Sequence, residues 1–207
     1  MRTVIKRLAI IVIVINLVWA IQPKMDNNNL ERFTGIFGFN FKCYESQDES
    51  LLISVKKEFG NAHSRISGDA STGLESICYL WPDNSSVLIF EEEETGVTFR
   101  IRKGNKIGKK NWFPLSSSKL GEKKLEVSGL KLGLTKTEVK NLIGKPTKTT
   151  KDKFIFEYAG DEKFSARALK IRPSLDSVNG FWHQILITTI FSDSILTEFS
   201  VYESEQN

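Results

Sequence analysis

Residues 129–158, GLKLGLTKTEVKNLIGKPTKTTKDKFIFEY, constrain this chain more than any other stretch: a very short helix, closed at both ends, feeds an aromatic strand. Thr135 and Glu138 stand at the T-x-x-E spacing of a capping box, in which each side chain satisfies a backbone N–H of the other residue. Leu134 and Val139 occupy the two positions of a hydrophobic staple around that cap. Val139, Leu142 and Ile143 fall at i, i+3 and i+4, one apolar stripe of barely two turns. Gly144 stands where a left-handed residue closes a helix, and Pro146 forbids its continuation. So short a helix does not hold in water by itself. It needs a surface, and Phe154, Phe156 and Tyr158, alternating on one strand face, are the nearest one.

An earlier segment, residues 51–81, has the same plan. Setting Phe59-Gly60 on Ile143-Gly144 aligns Val55-Lys56 with Val139-Lys140 and Asn61-Ala62 with Lys145-Pro146. Gly60 is then the counterpart of Gly144 as helix terminator. Leu51, Leu52, Val55 and Phe59 form the apolar face, and Ser46-Gln47-Asp48-Glu49 offers a capping box, which predicts a first helix that begins before Leu51 and runs longer than the second. The alternative is two unrelated capped helices. LTKTEVKNLIGKPT resembles the helix-turn motif of the SmpA/OmlA outer-membrane-assembly lipoprotein domain, whose fold is shared with beta-lactamase-inhibitor protein. The close resemblance covers residues 130–158. It implies an α+β fold of two tandem helix-loop plus antiparallel-sheet repeats, each helix across its own sheet, and extends the plan over about residues 41–202. The chain departs from the lipoprotein pattern in having no cysteine near Ala20.

Residues 1–20 read as a signal peptide, with Arg2, Lys6 and Arg7 before an apolar core and Val18-Trp19-Ala20 as a small-x-small cleavage site. The alternative is an uncleaved N-terminal membrane anchor, but the apolar run is shorter than the ~20 residues of a spanning helix. The whole chain has 29 basic and 25 acidic residues, net +4. Three of the basic residues and none of the acidic ones lie in residues 1–20, so the remainder carries only about +1, without the cationic excess of a nucleic-acid-binding protein.

Beyond a polar leader at residues 21–35, the expected organisation is a first α+β repeat over 36–102, a basic linker rich in Gly and Ser over 103–124, and a second, SmpA/OmlA-like repeat over 125–204. In the first unit Phe37, Phe39 and Phe41 alternate as a strand, with Cys43 on their face. Cys78 lies in the strand 77–81, and two cysteines in an exported chain predict a Cys43–Cys78 disulfide, the alternative being two buried thiols. Pro82-Asp83-Asn84-Ser85 predicts a hairpin into 87–90, and Val97, Phe99 and Ile101 alternate on the next strand. In the second unit 154–158, 184–191 and 195–202 read as strands, with Ser192-Asp193-Ser194 as a tight turn and a further strand near 167–171. Short capped helices followed by antiparallel strands argue an α+β class.

Signs of catalysis are few. His63 and His183 have no Cys or carboxylate at local ligand spacing, so no metal or cofactor is expected. Glu91 to Glu94 lack the alternating ligands and central glycine of a calcium loop and read as a solvated hairpin tip. No nucleophile elbow, zincin, Walker or dinucleotide pattern occurs, and no catalytic residue is assigned. The basic run from Arg100 to Lys110, ending in Trp112-Phe113, has the composition for a weak contact with an anionic membrane surface; a solvated linker whose aromatics tuck into the core is the favoured reading. Trp112, Phe113 and Trp182 are the candidate partner contacts. The expectation is an exported, periplasmic or secreted, non-catalytic binding or envelope-assembly module with a protein partner and no nucleic acid. The alternatives are a proteinaceous inhibitor of an extracytoplasmic enzyme and, less favoured, a hydrolase without a familiar motif.

Overall fold

Alternation decides the architecture: most of the long runs place every second apolar side chain on one face, which a strand buries as a row. The computed structural model describes residues 30–40, 50–61, 63–67, 74–92, 96–104, 114–164, 169–170, 173–174 and 180–206. These hold strands β1 (Gly35–Ile36), β2 (Phe39–Asn40), β3 (His63–Ser67), β4 (Leu74–Leu80), β5 (Ser86–Glu92), β6 (Gly96–Lys103), β7 (Leu115–Ser116), β8 (Lys148–Thr149), β9 (Lys153–Glu162), β10 (Phe181–Ser192) and β11 (Ile195–Gln206). Helices α1 (Leu51–Phe59) and α2 (Lys136–Ile143) and a 3-10 turn at Ser118–Glu122 complete the elements.

β1 and β2 pair only with each other. The other nine strands make one sheet in the order β3-β4-β5-β6-β11-β10-β9-β8, with β7 lying parallel to β4. All other pairings are antiparallel. The class is α+β. The sequence reading gives each helix its own sheet, whereas the described strands are continuous. β6 and β11 pair from Gly96↔Ser204 to Arg102↔Glu198, which satisfies two edges that separate sheets would leave open.

Both helices pack into a single core. Val55 and Phe59 of α1 and Val139 and Ile143 of α2 are buried with Ile77, Tyr79, Phe90, Phe99, Phe156, Ile187 and Phe199, all from one face of the sheet. The rings of Phe37, Phe39 and Tyr79 meet the Phe59 ring at 5.7–5.9 Å, each edge to face. Burying each such side chain contributes roughly 1.5–3 kcal/mol.

Four local expectations change. Phe37 is not in a strand: Phe37 and Gly38 have φ of 57° and 92° and form the two-residue turn between β1 and β2, where positive φ matches the twist of a hairpin. α1 begins at Leu51, with Ser50 as its N-cap, and is only one residue longer than α2. The expected linker is partly structured, since β7 joins the sheet and Leu120 of the 3-10 turn is buried. Leu169 and Lys170 are helical rather than extended. The turn after β10 is as expected, with Asp193 and Ser194 at φ 51° and 67°. Residues 1–29 lie outside the described residues, and so do Cys43, Trp112 and Phe113. Among the described residues no helix is long and apolar enough to cross a membrane.

Candidate functional site

Two regions of the sheet carry chemistry, one on each face. The first is internal. On β9 the inward positions are Phe154, Phe156, Tyr158, Gly160 and Glu162; on β10 they run from Phe191 back to His183 and Phe181. On β11 the inward row is Phe199, Val201, Glu203 and Glu205. Over most of their length these rows are apolar, and at one end all three turn polar together. Register then assembles a cluster that no local spacing announces: His183 lies opposite Gly160 on β9 and Glu205 on β11, with Glu162 and Glu203 at the diagonal positions.

The His183 side chain is 1% exposed. Its Nε2 is 2.9 Å from Oε1 of Glu203, a fully buried carboxylate, in hydrogen-bond geometry. Its Nδ1 is 3.1 Å from Oε1 of Glu162 but out of line for a hydrogen bond, and has no hydrogen-bond partner among the described residues. Donor atoms of Glu31, Glu162 and His183 lie within 4.8 Å of one another, and so do those of His183, Glu203 and Glu205. Burial alone pushes the His183 pKa down, but the hydrogen bond and charge of Glu203, joined by the nearby Glu162 carboxylate, outweigh it and raise the pKa above its ordinary value. Tyr158 stands over the imidazole edge to face at 6.0 Å, and burial followed by its hydrogen bond to Glu162 pushes its phenol up to about 12. Gly160 makes room for this arrangement, because a Cβ there would stand 3.1 Å from the Tyr158 hydroxyl. Carboxylates that are absent from local ligand spacing in the sequence are thus brought to His183 by the fold. Glu162, His183, Glu203 and Glu205 come from strands about twenty residues apart in the chain and Glu31 from far earlier, and the available signal was glutamates on the apolar parity of β11.

The second region is the opposite face. Across β9, β10, β11 and β6 its rows read Glu157–Leu186–Tyr202–Thr98 and Ile155–Thr188–Ser200–Arg100, followed by Lys153–Ile190–Glu198–Arg102. Ile155, Leu186, Ile190 and Tyr202 are half-buried, and Trp182 is 45% exposed. Glu198 takes Arg100 at 3.8 Å and Arg102 at 3.5 Å, and Arg100 also reaches Glu91 at 3.5 Å. Towards β4 and β5 this face changes character: Cys78, Val87 and Ile89 are buried there as a small second cluster with Leu80.

The remaining expected residues are structural. Thr135 and Glu138 form the capping box, with Thr135 N donating to Glu138 Oε2 at 2.7 Å and Glu138 N donating to Thr135 Oγ1 at 3.2 Å. Pro146 stands three residues after Ile143, the last residue of α2. Gly60 and Gly144 both have positive φ, 86° and 116°, but with ψ of −176° and −159° they lie in the extended region open essentially to glycine alone, not in the αL region. Cys78 is a buried free thiol whose pKa burial pushes up to about 12; its expected partner, Cys43, is outside the described residues. Glu92 is not part of a solvated tip. It accepts from Leu51 N at 3.2 Å, from Leu52 N at 3.3 Å and from Ser50 Oγ, and so caps α1. Compared with protein-family models, with curated proteins and with solved structures, the chain has no match.

Proposed function

We propose that this chain is an exported, non-catalytic binding module built from two copies of a helix-plus-strands unit, and that it holds a protein partner of the cell envelope against the outer face of β9, β10, β11 and β6. The observation that carries the binding reading is the composition of that face. Trp182 stands out of the surface at one end of β10, half-buried Leu186, Tyr202, Ile155 and Ile190 follow further along the same face, and a charged border of Arg100, Arg102 and Glu198 runs along one side. Aromatic and aliphatic anchors beside charges are what protein interfaces use for affinity and register.

The duplication is supported by two kinds of likeness. The sheet strands of the first unit run β3 to β6 and those of the second β8 to β11, and the sheet order sets their last strands side by side at its centre. Both helices bury a Val and a large apolar residue four positions later. Both end on a glycine whose N–H donates 2.8 Å to a lysine carbonyl, Lys56 in α1 and Lys140 in α2. Such a tandem plan agrees with the SmpA/OmlA and beta-lactamase-inhibitor-protein resemblance of residues 130–158.

A photo-crosslinking side chain at position 188, in the middle of the outer face, tests the function in intact cells. An envelope-assembly protein captured there, and not from position 145 at the helix side, is the expected result. A secreted or periplasmic enzyme captured one to one assigns the module to the inhibitor class instead. Equal labelling from both positions overturns the reading. Mass spectrometry of the recovered protein reports its first residue, with processing after Ala20 expected.

A further inference from the structure

We propose that Nδ1 of His183 and the carboxylates of Glu162 and Glu31 form a binding site for a divalent transition-metal ion, Zn2+ by preference, with Glu203 as the positioning residue that holds the imidazole in the ligating tautomer. The site stands apart from the outer face, since it opens on the other side of the sheet.

The geometry at the two ring nitrogens differs, and that difference assigns the metal to one of them. Nε2 is engaged: it donates to the fully buried Glu203 at 2.9 Å in good alignment. A neutral imidazole protonated on Nε2 presents a lone pair on Nδ1, and histidine ligands are held in just this way by a carboxylate on the far nitrogen. Nδ1 is buried, lacks an aligned hydrogen bond among the described residues, and has Glu162 Oε1 3.1 Å away. Two donors bound to one Zn2+ at 2.0–2.1 Å in tetrahedral geometry lie about 3.3 Å apart. A nitrogen and an oxygen at 3.1 Å without a well-directed hydrogen between them match that edge. Glu31 brings the third donor atom within 4.8 Å of both.

The surroundings suit an ion at Nδ1 better than one at Nε2. Glu31 and Glu162 are only partly buried and offer a way in from solvent, whereas Glu203 and Glu205 on the other side are closed off. The Tyr158 hydroxyl orients Glu162, and Gly160 opposite His183 leaves the space between them clear of a side chain. One imidazole with two carboxylates favours Zn2+ and its first-row neighbours over Ca2+ and Mg2+, which gather oxygen ligands alone. Three protein donors leave a fourth position to a water or to a second carboxylate oxygen.

The test uses the full chain, stripped with a chelator and titrated with Zn2+ by calorimetry, with elemental analysis of the re-dialysed protein. One Zn2+ per chain is expected, with Ca2+ and Mg2+ at least 100-fold weaker. Glu162→Gln keeps the size of a partly exposed residue and should lower Zn2+ affinity about 100-fold while circular dichroism stays unchanged. Glu203→Gln should lower it about 10- to 100-fold through the lost orientation of His183, and Glu205→Gln less than threefold. If His183→Gln does not fold, Glu162→Gln decides alone. Absence of stoichiometric Zn2+, equal affinity in Glu162→Gln, a larger loss in Glu205→Gln than in Glu162→Gln, or tighter Ca2+ than Zn2+ overturns the assignment.

Discussion

Helix α1 starts with its first amides turned towards a carboxylate that arrives from β5, forty residues further along the chain, whereas α2 starts inside a box closed by residues three apart. Both helices leave the same orphan N–H groups and both need an acceptor. In α2 the acceptors are Thr135 Oγ1 and Glu138 Oε2. In α1 Ser50 makes no cap of its own, and its hydroxyl instead donates to Glu92, which also takes Leu51 N and Leu52 N. At their C-termini the helices are alike: the same bond to a lysine carbonyl and the same glycine conformation. A local cap makes a helix start independent of the sheet, while a borrowed one ties the start of α1 to the register of β5.

The likeness at the C-termini is where the largest effects are expected. Gly60→Val and Gly144→Val each place a β-branched residue at positive φ and extended ψ, which costs of order 2–3 kcal/mol in backbone strain. A Cβ at either position meets nothing within 4 Å, so the loss is conformational and not a clash. Urea denaturation should give similar values for the two. A difference above about 1 kcal/mol breaks the equivalence of the two corners.

The N-termini should separate the helices. Glu92→Ala removes the acceptor of three donors at once and should destabilise by about 2 kcal/mol, the scale of hydrogen bonds to a charged group. Thr135→Ala removes one side of a local box and should cost about 1 kcal/mol. Amide exchange adds a second discriminant: Glu92→Ala should loosen β5 as well as α1, whereas Thr135→Ala should leave the sheet protected. Equal and purely local effects would mean that the two starts do not differ in kind.

The same division between local and distant partners explains what could be read beforehand. The box, the glycine stops, the Asp193-Ser194 turn and the strand alternation are statements about residues within a few positions of each other, and they appear in the structure. The Glu92 cap, the β6–β11 join and the His183 cluster depend on register between strands. Glu91 to Glu94 resembled a solvated tip because the run is charged, yet Glu92 faces the helix. At the candidate site, Glu203 and Glu205 share the parity of Phe199 and Val201, which places carboxylates on a buried face. That parity was visible in the sequence; the histidine opposite it was not, because it required the pairing of β10 with β11.

The smallest expected effect tests the chemistry of the local box alone. The backbone hydrogen bond from Thr135, then its side-chain hydrogen bond, holds the Glu138 carboxyl below its ordinary pKa. A carboxylate with a depressed folded pKa contributes stability that is complete above the unfolded value, near 4.5, and lost as pH falls through the folded value. Exchange protection of the first amides of α2 should therefore hold at neutral pH and decline in acid. Glutamine keeps the acceptor of a capping box but does not titrate, so Glu138→Gln should retain the protection and flatten the acid decline. An unchanged acid decline in that variant would move the sensitivity to another carboxylate. The start of α1 serves as the internal reference, because a change confined to Glu138 should leave the amides of Leu51 and Leu52 as they are.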